Sequence, residues 1–355
     1  MSISLEAAQA ALRVLVDPNT NKPLFARSVR SEKDGLHVDI EVGYPARNYR
    51  ADLEKLARAA LPDVGAVQIE VIEKIVPHAT QRGVKRLAGV KNLVVVASGK
   101  GGVGKSTTAV NLALALAEDG ARVGVLDADI YGPSLPQMLG LAGQHPEVDE
   151  QKMMTPLFAH GIQVMSIGFL VPEDAALIWR GPLVVQALNQ LLSETRWDHL
   201  DYLIVDLPPG TGDVQLSLAQ KAPVTGALIV TTPQDIALLD VKRGIRMFEK
   251  VGVPILGVVE NMSIHTCPQC GHREHIFGSG GAERLREAFQ VECLGELPLD
   301  IQIRALTDDG KPTVAGAPTS HAAALYRAIA RKLACKIAAQ PKDMSAKFPP
   351  IVVQS

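Results

Sequence analysis

Two stretches of this chain combine residue types and spacings that can do chemistry. The first is Gly99-Lys100-Gly101-Gly102-Val103-Gly104-Lys105-Ser106, followed by Thr107. It fits the pattern G-x-x-x-x-G-K-[ST], with an apolar run at 93–97 before it and a helical pattern at 105–119 after it. Glycines there let consecutive backbone N–H groups turn toward phosphate oxygens, and the positive end of the following helix adds to that field. Lys105 would then reach the β- and γ-phosphates of a nucleotide, and Ser106 would ligate Mg²⁺. The second stretch is Cys267-Pro268-Gln269-Cys270, with His265, His272 and His275 around it. Two thiolates two residues apart converge on one soft metal centre. Spacing alone leaves three uses open. One is a four-cysteine iron–sulfur cluster completed by a second copy of the chain. Another is zinc, with His272 and His275 completing a Cys₂His₂ set. The third is a redox dithiol, although no helix start of the usual kind is evident beside it.

Carboxylates stand where a phosphate loop would use them. Asp127 ends the apolar stretch 123–127, and Asp129 follows on the same side if strand geometry persists. One carboxylate suits the Mg²⁺ shell and the other the orientation of an attacking water. Asp206 ends the apolar run 202–205 and leads into Pro208-Pro209-Gly210-Thr211-Gly212-Asp213. That position suits a carboxylate acting on Mg²⁺ through water, and the loop after it can respond to loss of a γ-phosphate.

These groups need a scaffold, and the pattern of the chain supplies one. From residue 92 onward, apolar runs at 93–97, 123–127, 202–206, 227–231 and 255–260 alternate with helical patterns at 105–119, 183–195 and 236–251. Such alternation indicates a mostly parallel sheet with helices on both faces, binding ligands at the carboxyl ends of its strands. Residues 1–78 read as a small α+β unit. It has a helix from Leu5 to Val16, an alternating strand from Leu36 to Val42, a helix from Arg50 to Leu61 stopped by Pro62, and a further alternating strand at 67–76. Residues 79–91 are basic, polar and glycine-containing, the profile of a solvated linker. Leu325, Ile329, Leu333 and Ile337 form a helical stripe that suits packing on the domain rather than on a membrane, and 341–355 form a proline-containing tail. The division is therefore 1–78, 79–91, 92–340 and 341–355.

Bulk properties narrow the function. Of 355 residues, 47% are hydrophobic and 21% charged, which fits packed cores rather than disorder. The net charge of −2 gives no basic surplus for a nucleic-acid backbone. No apolar stretch is long enough to span a membrane, and the N-terminus lacks a secretory pattern. Four cysteines in so long a chain are not a disulfide framework, so a reducing cytoplasm is expected. Cys293 and Cys335 read as incidental or buried thiols, and His145, His160, His199 and His321 have no partner at ligand spacing.

Several of these segments resemble known families. Lys100 sits where ordinary phosphate loops need no lysine. The segment Lys100-Gly101-Gly102-Val103-Gly104-Lys105-Ser106-Thr107 resembles the deviant Walker A group that includes nitrogenase iron protein, MinD and ParA. In that group the extra lysine crosses a dimer interface to the partner's nucleotide, which implies a nucleotide-dependent homodimer here. The resemblance favours Asp129 for the water, and it places Asn261, in Glu260-Asn261-Met262-Ser263, at the base-contacting position, where a side-chain amide can read adenine. Together with residues 126–134, 206–213 and the Cys267/Cys270 pair, these segments resemble the Mrp/ApbC family of iron–sulfur cluster carrier ATPases over roughly 90–340. The N-terminal unit resembles a small domain found in cluster assembly. The resemblance implies a P-loop NTPase that hydrolyses ATP with Mg²⁺. It further implies that the paired cysteines of two subunits bridge a labile 4Fe–4S cluster, which passes from an assembly scaffold to apo iron–sulfur proteins. A MinD/ParA-like positioning ATPase with a structural zinc site is the alternative; it would need a membrane or DNA contact that the sequence does not display.

Overall fold

The computed structural model of the chain describes residues 5–32, 35–61, 66–81, 84–170, 181–210 and 212–343. Pro62, Thr211, residues 82–83 of the linker and residues 344–355 of the tail lie outside the described residues.

The first unit runs α1 (Leu5–Arg13), β1 (Val16–Asp17), β2 (Lys22–Pro23), β3 (Phe25–Glu32), β4 (Gly35–Val42), α2 (Arg50–Ala60) and β5 (Val67–Glu73). β4 is central, antiparallel to β3 and parallel to β5. Its Leu36, Val38, Ile40 and Val42 point into the core while the residues between them are half-buried, the period-two pattern of a sheet packed on one face. The expected helix to Val16 stops at Arg13 instead. Asp17 takes the Asn19 N–H, the Thr20 hydroxyl and the Tyr44 hydroxyl, and this local turn competes with helix continuation.

The larger unit begins with β6 (Val90–Ala97), α3 (Lys105–Glu118), β7 (Val123–Asp127), α4 (Leu135–Met138), β8 (Leu157–Ala159), β9 (Ile162–Ser166) and α5 (Gly181–Ser193). It continues through β10 (Leu200–Asp206), α6 (Asp213–Lys221), β11 (Val224–Thr231), α7 (Asp235–Lys250), β12 (Ile255–Glu260), β13 (His265–Thr266), β14 (Arg273–Glu274) and α8 (Gly281–Phe289). It ends with β15 (Cys293–Glu296), α9 (Ile301–Asp308), α10 (Thr313–Gly316) and α11 (His321–Ala338). The sheet order is β15-β12-β11-β6-β10-β7-β9-β8, parallel except for the β8 edge. β6, β10 and β7 are neighbours, so the glycine loop, Asp206 and Asp127 leave the sheet side by side. Asp206 is the register partner of both Val96 and Asp127.

The connector is not a solvated strand of chain. Gln81 donates to the carbonyl of Ala219, at the end of α6, and accepts from Val224 N, at the start of β11. Arg86 bonds the carbonyls of His78 and Lys91 and pairs with Asp343. Asn92, fully buried, accepts from His78 N and meets its Nδ1, while its amide donates to Val76 and Asp201 carbonyls. The far end of the chain closes on the same place. Ala79 N bonds Pro341 O, Asp343 N bonds Pro77 O, and the Arg331 guanidinium lies 4.6 Å from the Tyr49 ring centroid. Ile329, Leu333 and Ile337 of α11 are buried, with α11 packed along α3, as the stripe requires. Among the described residues no helix is long and apolar enough to cross a membrane.

Candidate active site and cysteine hairpin

The glycine loop links the end of β6 to the first turn of α3. Gly102 and Gly104 have φ of 79° and 80°, a conformation that suits glycine. At Gly104 a Cβ would lie 2.1 Å from Asn261 Nδ2, so the position admits no side chain. A Cβ on Gly99 would meet α7 backbone at Asp240 and Val241. Lys105 is buried, with Nζ 2.7 Å from Asp206 Oδ1 and 3.3 Å from Ser106 Oγ. Asp206 is fully buried, and its other oxygen, Oδ2, has no partner. Burial pushes the Asp206 carboxyl up and Lys105 opposes this. A dry cation-and-carboxylate pair with one orphaned oxygen, beside a hydroxyl and a glycine-lined loop, fits a Mg²⁺–nucleotide: Ser106 and Asp206 are the groups placed to hold the metal side.

Asp127 is fully buried beside this pair, with both oxygens engaged. Oδ1 accepts from Asp129 N, and Oδ2 accepts from Leu135 N and the Ser166 hydroxyl. It therefore shapes the 128–135 loop. Desolvation, then repulsion from Asp206, pushes its carboxyl up to about 7. Asp129, half-buried, has its carboxyl raised by burial, with Lys105 pulling it down and Asp206 pushing it up. Asp129 thus shares the field of the same lysine. Lys100 reaches Gln234 Oε1 at 2.9 Å within its own chain. After Asp206, Gly210 N bonds Ser98 O, and Gln215 of α6 donates to Pro208 O. The first contact ties the second loop to the end of β6, and the second ties it to α6.

Asn261, just after β12, is buried, and its amide donates to Val103 O at 2.8 Å. It braces the glycine loop, a role that its position after a strand did not suggest. Six residues on, Cys267 and Cys270 occupy the turn of the β13/β14 hairpin, Cys267 half-buried and Cys270 exposed. Cys267 N bonds His272 O, Gly271 N bonds Cys267 O, and Gly271 turns at φ 72°. Hydrogen bonds from the Cys270 and Gln269 backbone hold the Cys267 thiol below its ordinary pKa, which favours the thiolate that metals bind. The Cys₂His₂ set considered above is not assembled. His275 Nδ1 is 2.6 Å from Ser263 O, His272 is exposed, and among the described residues no group of three or more His, Cys, Asp or Glu could hold a metal ion. Cys293 is half-buried at the start of β15, and Cys335 lies in the core of α11. His145 and His160 bond the carbonyls of Phe169 and Gly310.

A parallel sheet with this glycine loop, the buried Lys105–Asp206 pair and two further carboxylates at the strand ends defines a P-loop NTPase. The family model described as NUBPL iron-transfer P-loop NTPase matches residues 89–334, and one described as iron-sulfur cluster assembly protein matches residues 5–71. The chain belongs to the NUBPL iron-transfer P-loop NTPase family. It is 52% identical over 309 residues to the iron-sulfur cluster carrier protein of Escherichia coli K12, covering 86% of this chain and 83% of that one. It is 52% identical over 260 residues to the mouse iron-sulfur cluster transfer protein NUBPL, covering 73% and 81%. Among solved structures, a nucleotide-binding protein from Archaeoglobus fulgidus in complex with ADP is 40% identical, with a TM-score of 0.57 over 64% of this chain and 89% of that one. MinD of Pyrococcus furiosus, 24% identical with a TM-score of 0.54 over 68% and 98%, shares the fold.

Proposed function

We propose that this chain is an ATP-hydrolysing carrier that receives a 4Fe–4S cluster as cargo at Cys267 and Cys270 and passes it to apo iron–sulfur proteins. The observation that carries this reading is the exposed hairpin itself. It presents two thiols, one with a lowered pKa, six residues from a side chain bonded to the phosphate loop. Each chain offers two ligands and a cluster takes four, so two chains related by a twofold axis complete the set. Lys100, held by Gln234 within its own chain, is placed to swing to the partner's nucleotide in that dimer. The names of the E. coli and mouse relatives and the ADP of the A. fulgidus relative support the same assignment.

At the nucleotide, bound Mg²⁺ would neutralise charge on the β- and γ-phosphates. The chain's own groups do the rest. Backbone N–H groups of 101–106 cradle the phosphates, Lys105 leaves Asp206 for the β- and γ-oxygens, and Ser106 and Asp206 take the metal side. Asp127 holds the 128–135 loop in shape and supports the metal's water shell. Asp129 orients the attacking water, and Asn261 contacts the adenine. The carrier would work in the cytoplasm, alongside an assembly scaffold that supplies the cluster.

The test is anaerobic reconstitution with iron and sulfide, followed by iron, sulfide and zinc analysis and an absorption spectrum. About four irons and four sulfides per dimer, lost on Cys267→Ala, are expected. Zinc without sulfide would refute the carrier reading and leave a nucleotide switch with a structural metal.

A further inference from the structure

The route from the phosphate loop to the cysteines is short and made of identifiable bonds. Asn261 N bonds Thr231 O, and the Asn261 amide bonds Val103 O inside the loop. Met262 turns the chain sharply at φ 57°. Ser263 is buried, with N and Oγ both on Leu297 O, and its own carbonyl receives His275 Nδ1 at 2.6 Å. His275 lies one residue beyond β14, so this bond ties the outgoing leg of the cysteine hairpin to the segment that braces the phosphate loop. The incoming leg continues directly from that segment and is also held by the chain after β15, through His265 Nδ1 to Leu299 O at 3.2 Å.

We infer that His275 is a positioning residue that transmits nucleotide occupancy from Asn261 to Cys267 and Cys270. The inference rests on the proposed reading that Asn261 contacts the base. A base that engages the Asn261 side chain pulls on the same amide that donates to Val103 O, so the brace differs between the empty and the filled site. Any shift of Asn261 passes Met262 to Ser263, whose carbonyl moves the imidazole and with it one leg of the hairpin. The other leg stays on Leu299, so the turn between them, which holds both thiols, changes geometry. His275 donates through Nδ1–H here, which leaves Nε2 free of this function. An asparagine can present an N–H close to where Nδ1 stands, whereas an alanine cannot.

The experiment uses the full chain without cluster, so its outcome does not depend on whether the cysteines carry one. Rates of iodoacetamide alkylation at Cys267 and Cys270, read by peptide mass spectrometry, are compared with no nucleotide, with ADP and with ATP plus Mg²⁺. In the unaltered chain the rate should change on nucleotide binding by about fivefold, the ratio that one ordinary hydrogen bond sets. His275→Ala should bind nucleotide as tightly but show one rate in all three conditions. His275→Asn should restore the dependence, and His272→Ala, in the same loop, should keep it. Equal rates in the unaltered chain would overturn the inference, as would a nucleotide dependence that survives His275→Ala. Failure of the carrier reading would register separately, as absence of bound sulfide after reconstitution.

Discussion

Replacing Lys105 with alanine should make the stability of the nucleotide-free protein steeply pH-dependent. Asp206 is fully buried and Lys105 Nζ, at 2.7 Å, is its charge partner. Removing one member of a buried pair ordinarily costs about 3–5 kcal/mol. The carboxylate has an escape, because it can take up a proton. For a carboxyl with an ordinary pKa of about 3.9, protonation costs about 4 kcal/mol at pH 7 but only about 1.5 kcal/mol at pH 5, at 1.36 kcal/mol per unit. Asp206 has its folded pKa raised by burial, so the folded variant binds more protons than the unfolded chain above the ordinary carboxyl range. Its stability must then fall as pH rises from about 4 toward neutrality. Asp127 and Asp129, whose carboxyls Lys105 also draws down, steepen the effect. Urea unfolding of the two proteins at several pH values measures it. The gap should be about 1–2 kcal/mol at pH 5 and about 4 kcal/mol at pH 7, and Asp206→Asn added to Lys105→Ala should remove most of it. A gap that is the same at both pH values, or a double variant no more stable than the single, would refute the reasoning.

Gly104→Ala places a Cβ on Asn261 Nδ2 at a left-handed φ, so nucleotide affinity measured by titration should fall roughly tenfold or more, from about 1–3 kcal/mol of strain. His78 is buried at the junction of the two units and its pKa lies below the ordinary value because of desolvation. Its contribution is therefore complete above about pH 6.5 and is lost as pH falls below that. His78→Gln should flatten this acid slope in denaturant midpoints between pH 5 and 8. Leu333→Ala, at a fully buried position of the α11 stripe, should cost about 2–5 kcal/mol, read by urea unfolding. Arg331→Ala should cost about 1 kcal/mol through the lost contact with the Tyr49 ring, measured the same way.

Much of this arrangement was legible from residue order because local rules decide it. The strands Val123–Asp127 and Ile255–Glu260 fall where their apolar runs do, and the loop at 99–107 sits between a strand and a helix as its glycines demand. β9 was missed since Gln163 and Ser166 interrupt its apolar pattern; both are buried and satisfied by distant partners, Asp198 and Asp127. β15 carries no strand signal, because a glycine and flanking glutamates break its short apolar stretch. The connector was misjudged for the opposite reason. Its polar side chains look solvated in sequence, yet Gln81 binds backbone atoms more than a hundred residues away and Arg86 pairs with the carboxylate of Asp343. At the site, the residue types were visible but their pairings were not. No spacing rule shows that Asp127 spends both oxygens on the 128–135 loop, or that Asn261 bonds the loop it follows by 158 positions.

The bonds between Ala79 and Pro341, and between Pro77 and Asp343, join the first quarter of the chain to the segment just past α11. A ribosome delivers those segments far apart in time. At the usual elongation rates, tens of seconds separate emergence of residue 78 from that of residue 343. Throughout that interval the first-made unit lacks the backbone partners of Pro77 and Ala79. The newborn protein therefore cannot complete this clasp until residue 343 has emerged, and the interval before closure leaves the nascent chain open to misassembly or to capture by a chaperone.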